Sequence, residues 1–447
     1  MGRAELAVTG RSAAGYWKWL VCGLLLLASS VNYMDRMTLA SVAPRLIEEL
    51  HLSKAEYGTV EQYFGYAFAV GAILFGLLVD RVRVYWLYPM VLTAWSLMGI
   101  LTGFAGADSP FPLGSALANL LMCRTLLGLF ESGHWPCALQ TTQRLLDPAD
   151  RTLGNGILQS GTSVGAIVTP LIVAAMLTPA AGSWRGPFLW IGAGGLLWVG
   201  AWLWLMRGRD SATSFAPPPE KAGWASSLWP ILTDHRFWLL ALVVSCINAS
   251  WSVYRVWLPL ALQDRSGLAF TEAQALGRVL PLYYAASDAG CLAAGAATVW
   301  LHRRGRSVLN SRRWVFTLCG LLALPAIYLP ALGRSEMSVP GLPAPQAVML
   351  VLFLAGAGSL GAFPCYYAFS QELSTRHMGL VTGLLSFVAW VVPASLQKPL
   401  GAQIDRTGSF DLALQFGAWP VLIAAIALWL FWELGWVRTL PSRLARA

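Results

Sequence analysis

Twelve stretches of the chain stay apolar for about as long as a helix needs to cross a bilayer. They lie near residues 17–41, 59–79, 85–106, 115–138, 153–178, 184–206, 237–262, 274–301, 314–333, 345–370, 378–402 and 412–437. A helix rises 1.5 Å per residue, so ~30 Å of hydrocarbon takes ~20 mostly apolar residues. A chain that repeats such a stretch twelve times in 447 residues folds as an all-α polytopic membrane protein. Its composition agrees: only 12% of residues are charged, against ~25% in an ordinary soluble domain. So little charge cannot coat a water-facing globule, which excludes a soluble enzyme, and the high apolar content excludes a disordered or disulfide-stapled chain. Cys22, Cys123, Cys137, Cys246, Cys291, Cys319 and Cys365 all fall in apolar runs, with no CxxC pair, and His51, His134, His235, His302 and His377 are scattered. No metal site and no cofactor are expected. There is also no P-loop, nucleophile–base pair or metal cluster, so no enzyme is expected.

The fourth, eighth and eleventh runs are broken by charges or prolines and read more weakly than the rest. The first leads directly into Asn32-Tyr33-Met34-Asp35-Arg36 without a small-residue cleavage site, so it is expected to stay as a first helix. Between the sixth and seventh runs, residues 207–236 are polar and contain Pro217-Pro218-Pro219, the composition of a linker. The expected organisation is a six-helix bundle over 1–206, a linker over 207–236 and a second six-helix bundle over 237–447.

The distribution of Lys and Arg sets the orientation, because positive residues concentrate on the cytoplasmic side. With the N-terminus inside, cytoplasmic segments hold twenty of the 31 basic residues and outer segments seven, the other four lying within runs. Both termini are therefore expected in the cytoplasm, most simply of a bacterial inner membrane. The net charge of +9 is mostly this topology signal, and nucleic-acid binding is not expected.

The two blocks of six resemble each other. Trp19-Leu20 precedes Arg36 by the same distances as Trp238-Leu239 precedes Arg255. Leu52-Ser53-Lys54-Ala55-Glu56 and Phe270-Thr271-Glu272-Ala273-Gln274 both read as capping boxes opening a second helix. Trp135-Pro136-Cys137 and Gln143 match Phe363-Pro364-Cys365 and Gln371. Three matches in the same order point to two related halves, an arrangement that places a substrate site between them.

Four stretches carry a resemblance to a known family: Asn32-Tyr33-Met34-Asp35-Arg36; Gly76-Leu77-Leu78-Val79-Asp80-Arg81-Val82-Arg83; Arg124 with Glu131-Ser132-Gly133-His134-Trp135-Pro136, continuing through Arg151, Gly154, Gly156 and Gln159-Ser160-Gly161-Thr162-Ser163-Val164-Gly165; and Arg303-Arg304-Gly305-Arg306-Ser307-Val308. In these the sequence resembles the major facilitator superfamily and, more narrowly, its anion:cation symporter family, whose bacterial members carry hexuronates and other organic anions. The third stretch is the most specific. The chain departs from the pattern at Val82-Arg83-Val84-Tyr85, at Arg255 just before Trp257-Leu258-Pro259, and at Asp288. The resemblance implies a monomeric transporter of two six-helix bundles. It implies arginines at 36 and 124 that bind a substrate carboxylate, and acidic residues at 35 and 131 that carry a coupled proton.

Charges inside apolar runs point to the same region. A charged residue at the bilayer centre costs ~2.5–3.5 kcal/mol on insertion scales, so such residues mark function and find partners. Asp35, Arg36, Arg124, Glu131, Arg255 and Asp288 qualify, three cations against three anions. Arg124 and Glu131 are seven residues apart and share a helix face about 10 Å apart. Asp35 and Arg36 point ~100° apart, so the arrangement that satisfies all four sets Arg36 near Glu131 and Asp35 near Arg124. Each has a plainer reading as a helix-joining ion pair. Arg255 is open between meeting substrate and pairing with Asp288, which is kept with Glu131 and Asp35 as a proton-coupling candidate. A guanidinium matches a carboxylate with a planar fork. In a half-dry cavity, desolvation favours a protonated carboxyl and a neighbouring cation favours an ionised one. An anion that captures the cation therefore draws a proton onto the carboxyl.

Tyr33, Gln159 and Tyr283 complete the expected substrate contacts. Asp80, Arg81, Arg151 and Arg376, at cytoplasmic helix ends, are expected to latch the halves. Lys398 is expected to snorkel, and Glu61, near the start of the second run, to be solvated. The leading expectation is proton-coupled symport of a small organic anion by alternating access. The alternatives are an exchanger of organic anions or phosphate esters, suited by arginines on both halves, and a non-transporting membrane sensor with the same fold.

Overall fold

Both capping boxes form. Ser53 accepts from the backbone of Glu56 while Glu56 accepts from the Ser53 N–H at 2.7 Å, opening the second helix. Thr271 and Gln274 repeat the arrangement 218 residues later, with bonds of 3.0 and 3.2 Å. These side chains satisfy backbone donors that a helix start leaves open.

The computed structural model describes residues 2–79, 81–106, 114–146, 151–207, 231–264, 268, 270–371 and 378–432. Its first bundle contains α1 (Gly2–Glu49), α2 (Lys54–Leu78), α3 (Val84–Thr102), α4 (Ala116–Glu131), α5 (His134–Leu145), α6 (Arg151–Met176) and α7 (Arg185–Met206). Its second contains α8 (His235–Gln263), α9 (Leu280–Arg303), α10 (Val308–Ala323), α11 (Leu329–Gly333), α12 (Ala344–Gln371), α13 (Met378–Thr407), α14 (Asp411–Phe416) and α15 (Pro420–Phe431). Grouped along the chain these make twelve spans. α4 and α5 form the fourth, α10 and α11 the ninth, α14 and α15 the twelfth, and a helical turn with a π-helical segment, Ala275–Val279, leads into α9 as the eighth.

Eight of the twelve are long and apolar enough to cross a membrane by length and composition alone. The other four are the first, fourth, eighth and eleventh, so the three runs that read weakly in the sequence are among them. The fourth breaks at Ser132-Gly133, directly after Glu131. Ser132 turns its hydroxyl back onto the Leu129 carbonyl at 2.6 Å, and Pro136 brings no N–H to continue the ladder. The linker core, 208–230, lies outside the described residues.

The apolar cores show how the bundles sit. At the end where α1 gives way to α2, one shared core runs through both bundles, from Leu39, Val42, Leu46, Tyr57 and Val60 to Trp257, Leu276, Leu400 and Ile404. At the opposite end there are two separate cores. One contains Val21, Leu25, Tyr88, Trp95 and Trp202 of the first bundle, the other Leu240, Val244, Phe316, Phe369 and Leu428 of the second. The bundles are joined at one end and distinct at the other.

The joined end is held by backbone-to-backbone packing of α2 on α13. A Cβ on Gly58 would strike the Gln397 carbonyl, and one on Gly401 the Lys54 carbonyl. Because these neighbours are backbone, neither position accommodates a side chain without moving the helices apart. Gly58→Leu is therefore expected to hold the two bundles apart at this end and to speed labelling of a cysteine at Ala394 by at least about tenfold, the effect of ~1.4 kcal/mol. An unchanged labelling rate in the variant counts against the packing.

Candidate functional site

Arg36 lies in the second half of α1 on the face turned toward α4. Its Nε donates to Glu131 Oε1 at 2.6 Å, and its Nη2 donates to Asn32 Oδ1 at 2.8 Å, one turn back on its own helix. Asn32 in turn donates to the Glu131 backbone carbonyl at 3.4 Å. The guanidinium stands over three rings, Phe68 at 4.6 Å, Trp390 at 5.1 Å and Tyr33 at 5.5 Å. Ring faces stabilise a desolvated cation by ~2 kcal/mol, and Trp390 reaches in from α13 of the other bundle. The expected Arg36–Glu131 pair is present.

The second expected pair is formed only in part. Arg124 Nη1 reaches the backbone carbonyl of Asp35 at 3.4 Å rather than its carboxylate. The Asp35 carboxylate turns toward Gly99 on α3, and neither of its oxygens has a hydrogen-bond partner among the described residues. With Arg36 facing Glu131, the adjacent Asp35 is turned ~100° round α1, toward Gly99 of α3. Arg124 is fully buried, lies 4.8 Å above the Phe64 ring, and its Nε and Nη2 have no partner among the described residues.

Two expectations are corrected. Glu61 is not solvated: it is 2% exposed and accepts from Arg255 Nη2 at 2.7 Å. Its helix packs too closely on α13 for water to reach that face. Arg255 accordingly does not pair with Asp288. Asp288 is only half-buried and accepts a hydrogen bond from Ser163 on α6. Its place in the group around Arg124 is taken by Glu61, so that group still holds three cations and three anions: Arg36, Arg124 and Arg255 with Asp35, Glu61 and Glu131. The six belong to one electrostatic cluster, because Arg124 has Glu61, Glu131, Arg255 and Asp35 all among its charged neighbours. A neutral set keeps the cost of burial down, and any anion that enters upsets that balance.

The remaining candidates separate. Tyr33 lies beside Arg36 and is an electrostatic neighbour of Arg255 and Tyr284, between the bundles. Tyr283 is buried in an aromatic group of the second bundle with Trp251, Tyr254 and Tyr284. Gln159 is exposed and donates to Thr162 on its own helix at 3.3 Å. Lys398 is exposed, as expected. Of the expected latch, Arg81 is exposed; Asp80, Arg376 and the Arg151 side chain lie outside the described residues.

Among the described residues, further ionic and polar links between the bundles are found at the joined end. Arg45, near the end of α1, makes a two-point contact with Glu272 at 3.0 and 2.7 Å. Asp405 of α13 accepts from the backbone N–H groups of Lys54 and Ala55 at 2.9 and 2.7 Å. An acidic side chain at a helix start meets both the open donors and the positive end of the helix dipole. Tyr66 and Ser395 share a hydrogen bond of 2.8 Å, again between α2 and α13. In the sequence Arg45, Glu272 and Asp405 look like solvated charges at helix ends, and nothing there marks them as partners.

A structural role is carried by His134, buried at the start of α5. It bonds Ser29 of α1 at 3.0 Å and Tyr88 of α3 at 2.8 Å, pinning three helices beside Glu131.

Comparisons with known proteins agree with the fold. A family model described as Major Facilitator Superfamily matches residues 25–396. A galacturonate transporter of Dickeya chrysanthemi is 26% identical over 326 residues, covering 69% of this chain and 89% of its own. A hexuronate transporter of Escherichia coli strain K12 is 24% identical, covering 92% of this chain and 93% of its own. A probable sulfoacetate transporter of Cupriavidus necator is 25% identical and covers 91% and 92%. Among solved structures, a bacterial homologue of the human lysosomal transporter Spinster, inward-facing and unoccupied, superposes with a TM-score of 0.69 at 18% identity. It covers 92% of this chain and 95% of that one.

Proposed function

The chain belongs to the Major Facilitator Superfamily, and from that premise we propose that it carries a small carboxylate, of the sugar-acid class, across a bacterial inner membrane together with protons. It is an integral membrane transporter and not an enzyme. The observation that carries the reading is the buried cluster of three arginines and three carboxylates, in which Arg124 keeps two donors without partners. A buried donor without an acceptor is costly, and a bound carboxylate supplies the acceptor. The relatives' sugar-acid and organic-anion names support the same chemistry.

In this reading the substrate carboxylate enters between the bundles and takes the guanidinium of Arg36 or Arg124. Glu131 then loses its counter-charge inside an apolar bundle. An unpaired buried carboxylate is strongly unfavourable, and taking up a proton removes the charge. Asp35, already buried without a hydrogen-bond partner, is a second place for a proton. Binding and protonation thus depend on each other without any additional moving part.

With both termini cytoplasmic, the joined end faces outward and the end with two separate cores faces the cytoplasm. The protein then rests closed to the outside, and the Arg45–Glu272 and Asp405–α2 contacts are its outer gate. Thermal stability of the purified protein tests the substrate class. Galacturonate is expected to raise the melting temperature and galactose, which lacks the carboxylate, is not. No shift with any carboxylate overturns the reading.

A further inference from the structure

Arg255 stands on α8 of the second bundle, yet the carboxylate that holds it is Glu61 on α2 of the first. The contact is single-pointed. Among the described residues Arg255 Nη1 has no partner and neither does Glu61 Oε1, although both side chains are buried to within a few per cent. A guanidinium and a carboxylate fitted for permanence meet with two parallel bonds, as Arg45 and Glu272 do on the same molecule. The buried pair therefore leaves half of its capacity open, on a residue within electrostatic reach of Arg124 and Glu131. Tyr57, one turn before Glu61, has Glu61, Arg255, Arg124 of α4 and Tyr284 of α9 as its charged or polar neighbours. Gln397 of α13 lies beyond, held by Trp257 Nε1 at 3.0 Å.

We propose that Arg255 is a second anion subsite, that Glu61 is a tethered carboxylate occupying it in the empty protein, and that the pair makes the transporter selective for dicarboxylates. The proposal rests on the carboxylate-transport reading above. One carboxylate of the substrate meets Arg36 and Arg124 in the first bundle, and the other displaces Glu61 from Arg255 in the second. The charge balance of the cluster supports this pairing. A monocarboxylate releases one carboxylate, Glu131, and one proton restores neutrality. A dicarboxylate releases two, Glu131 and Glu61, and two protons restore it. Displacing Glu61 also removes a bond between the bundles, so the second carboxylate loosens the joined end as it binds.

Galacturonate and galactarate test this directly, because they share the six-carbon chain and its hydroxyls and differ in one carboxylate. Binding of each is measured by titration calorimetry on the full-length protein in detergent. Glu61→Gln removes the tethered competitor and is expected to raise the galactarate-to-galacturonate affinity ratio at least about tenfold, the effect of one charge-assisted hydrogen bond. Arg255→Gln removes the subsite and is expected to lower the ratio by a similar factor. The opposite signs are diagnostic, because an ion pair that only joins helices weakens both ligands together whichever partner is lost. Changes of the same sign, or an unchanged ratio in both variants, overturn the proposal. If either single variant loses its fold, the neutral pair E61Q/R255Q retains an amide–amide contact and decides the matter. Its ratio is expected to fall as in Arg255→Gln, and a wild-type ratio overturns the proposal. Wild-type protein that binds neither acid would instead count against the carboxylate-transport reading itself.

Discussion

Glu131→Gln is expected to abolish accumulation of substrate against a gradient while leaving exchange of substrate across the membrane. Glu131 is fully buried, holds Arg36 at 2.6 Å through one oxygen, and its other oxygen has no partner among the described residues. A glutamine keeps the size and can still accept from Arg36. It cannot exist as an unpaired anion when substrate takes that arginine, so it has no reason to bind a proton. Substrate binding and the rocking of the bundles persist, but the proton gradient no longer drives them. In proteoliposomes with an imposed pH gradient the variant should equilibrate labelled substrate and stop at a concentration ratio of about one, since no coupled free energy remains. Uphill accumulation by Glu131→Gln would remove this residue from the coupling mechanism.

Arg124→Gln is expected to lower affinity for the carboxylate by about a hundredfold, the equivalent of ~3 kcal/mol. Arg124 is the most enclosed cation of the cluster, and Glu61, Glu131 and Asp35 are its charged neighbours. Removing it subtracts both the donors offered to the ligand and the positive charge that opposes three carboxylates. Arg124→Lys separates these effects. It restores the charge but not the planar fork, and should recover only a small part of the affinity. Calorimetry on both variants checks this. Wild-type affinity with a lowered melting temperature would mean that Arg124 only holds α4 to α1.

The sequence made Arg36 and Glu131 conspicuous for a simple reason. In a chain with so few charges, a charge within an apolar run is costly enough to require a partner, and helix geometry limits which partner it finds. The twelve spans and the capping boxes at Ser53 and Thr271 were legible on similarly local grounds. Glu61 was not, because hydropathy cannot separate a carboxylate at the edge of an apolar run from one buried by a neighbouring helix. A signal was nevertheless present. Gly58 and Gly65 flank Glu61 on one helix face, and small residues so spaced mark close helix contact. The face that bears Glu61 is thus a packed one. The contact of Asp405 with the start of α2 had no such mark, because it joins residues about 350 positions apart through backbone donors. Neither periodicity nor charge counting reaches that far. Asp288 misled because a half-buried carboxylate satisfied by a single serine looks, in sequence, like one that needs a cation.

The central claim is that carboxylate binding to the buried arginines draws protons through the membrane with the substrate. It is tested most directly by enclosing a pH-sensitive dye in proteoliposomes, imposing no proton gradient, and adding galacturonate or galactarate outside. The account predicts acidification of the lumen that follows substrate entry, is absent with galactose, and, with galacturonate, is lost in Glu131→Gln. Substrate entry with no change in luminal pH would contradict it, and entry only when a counter-anion is loaded inside would contradict it and identify the protein as an exchanger.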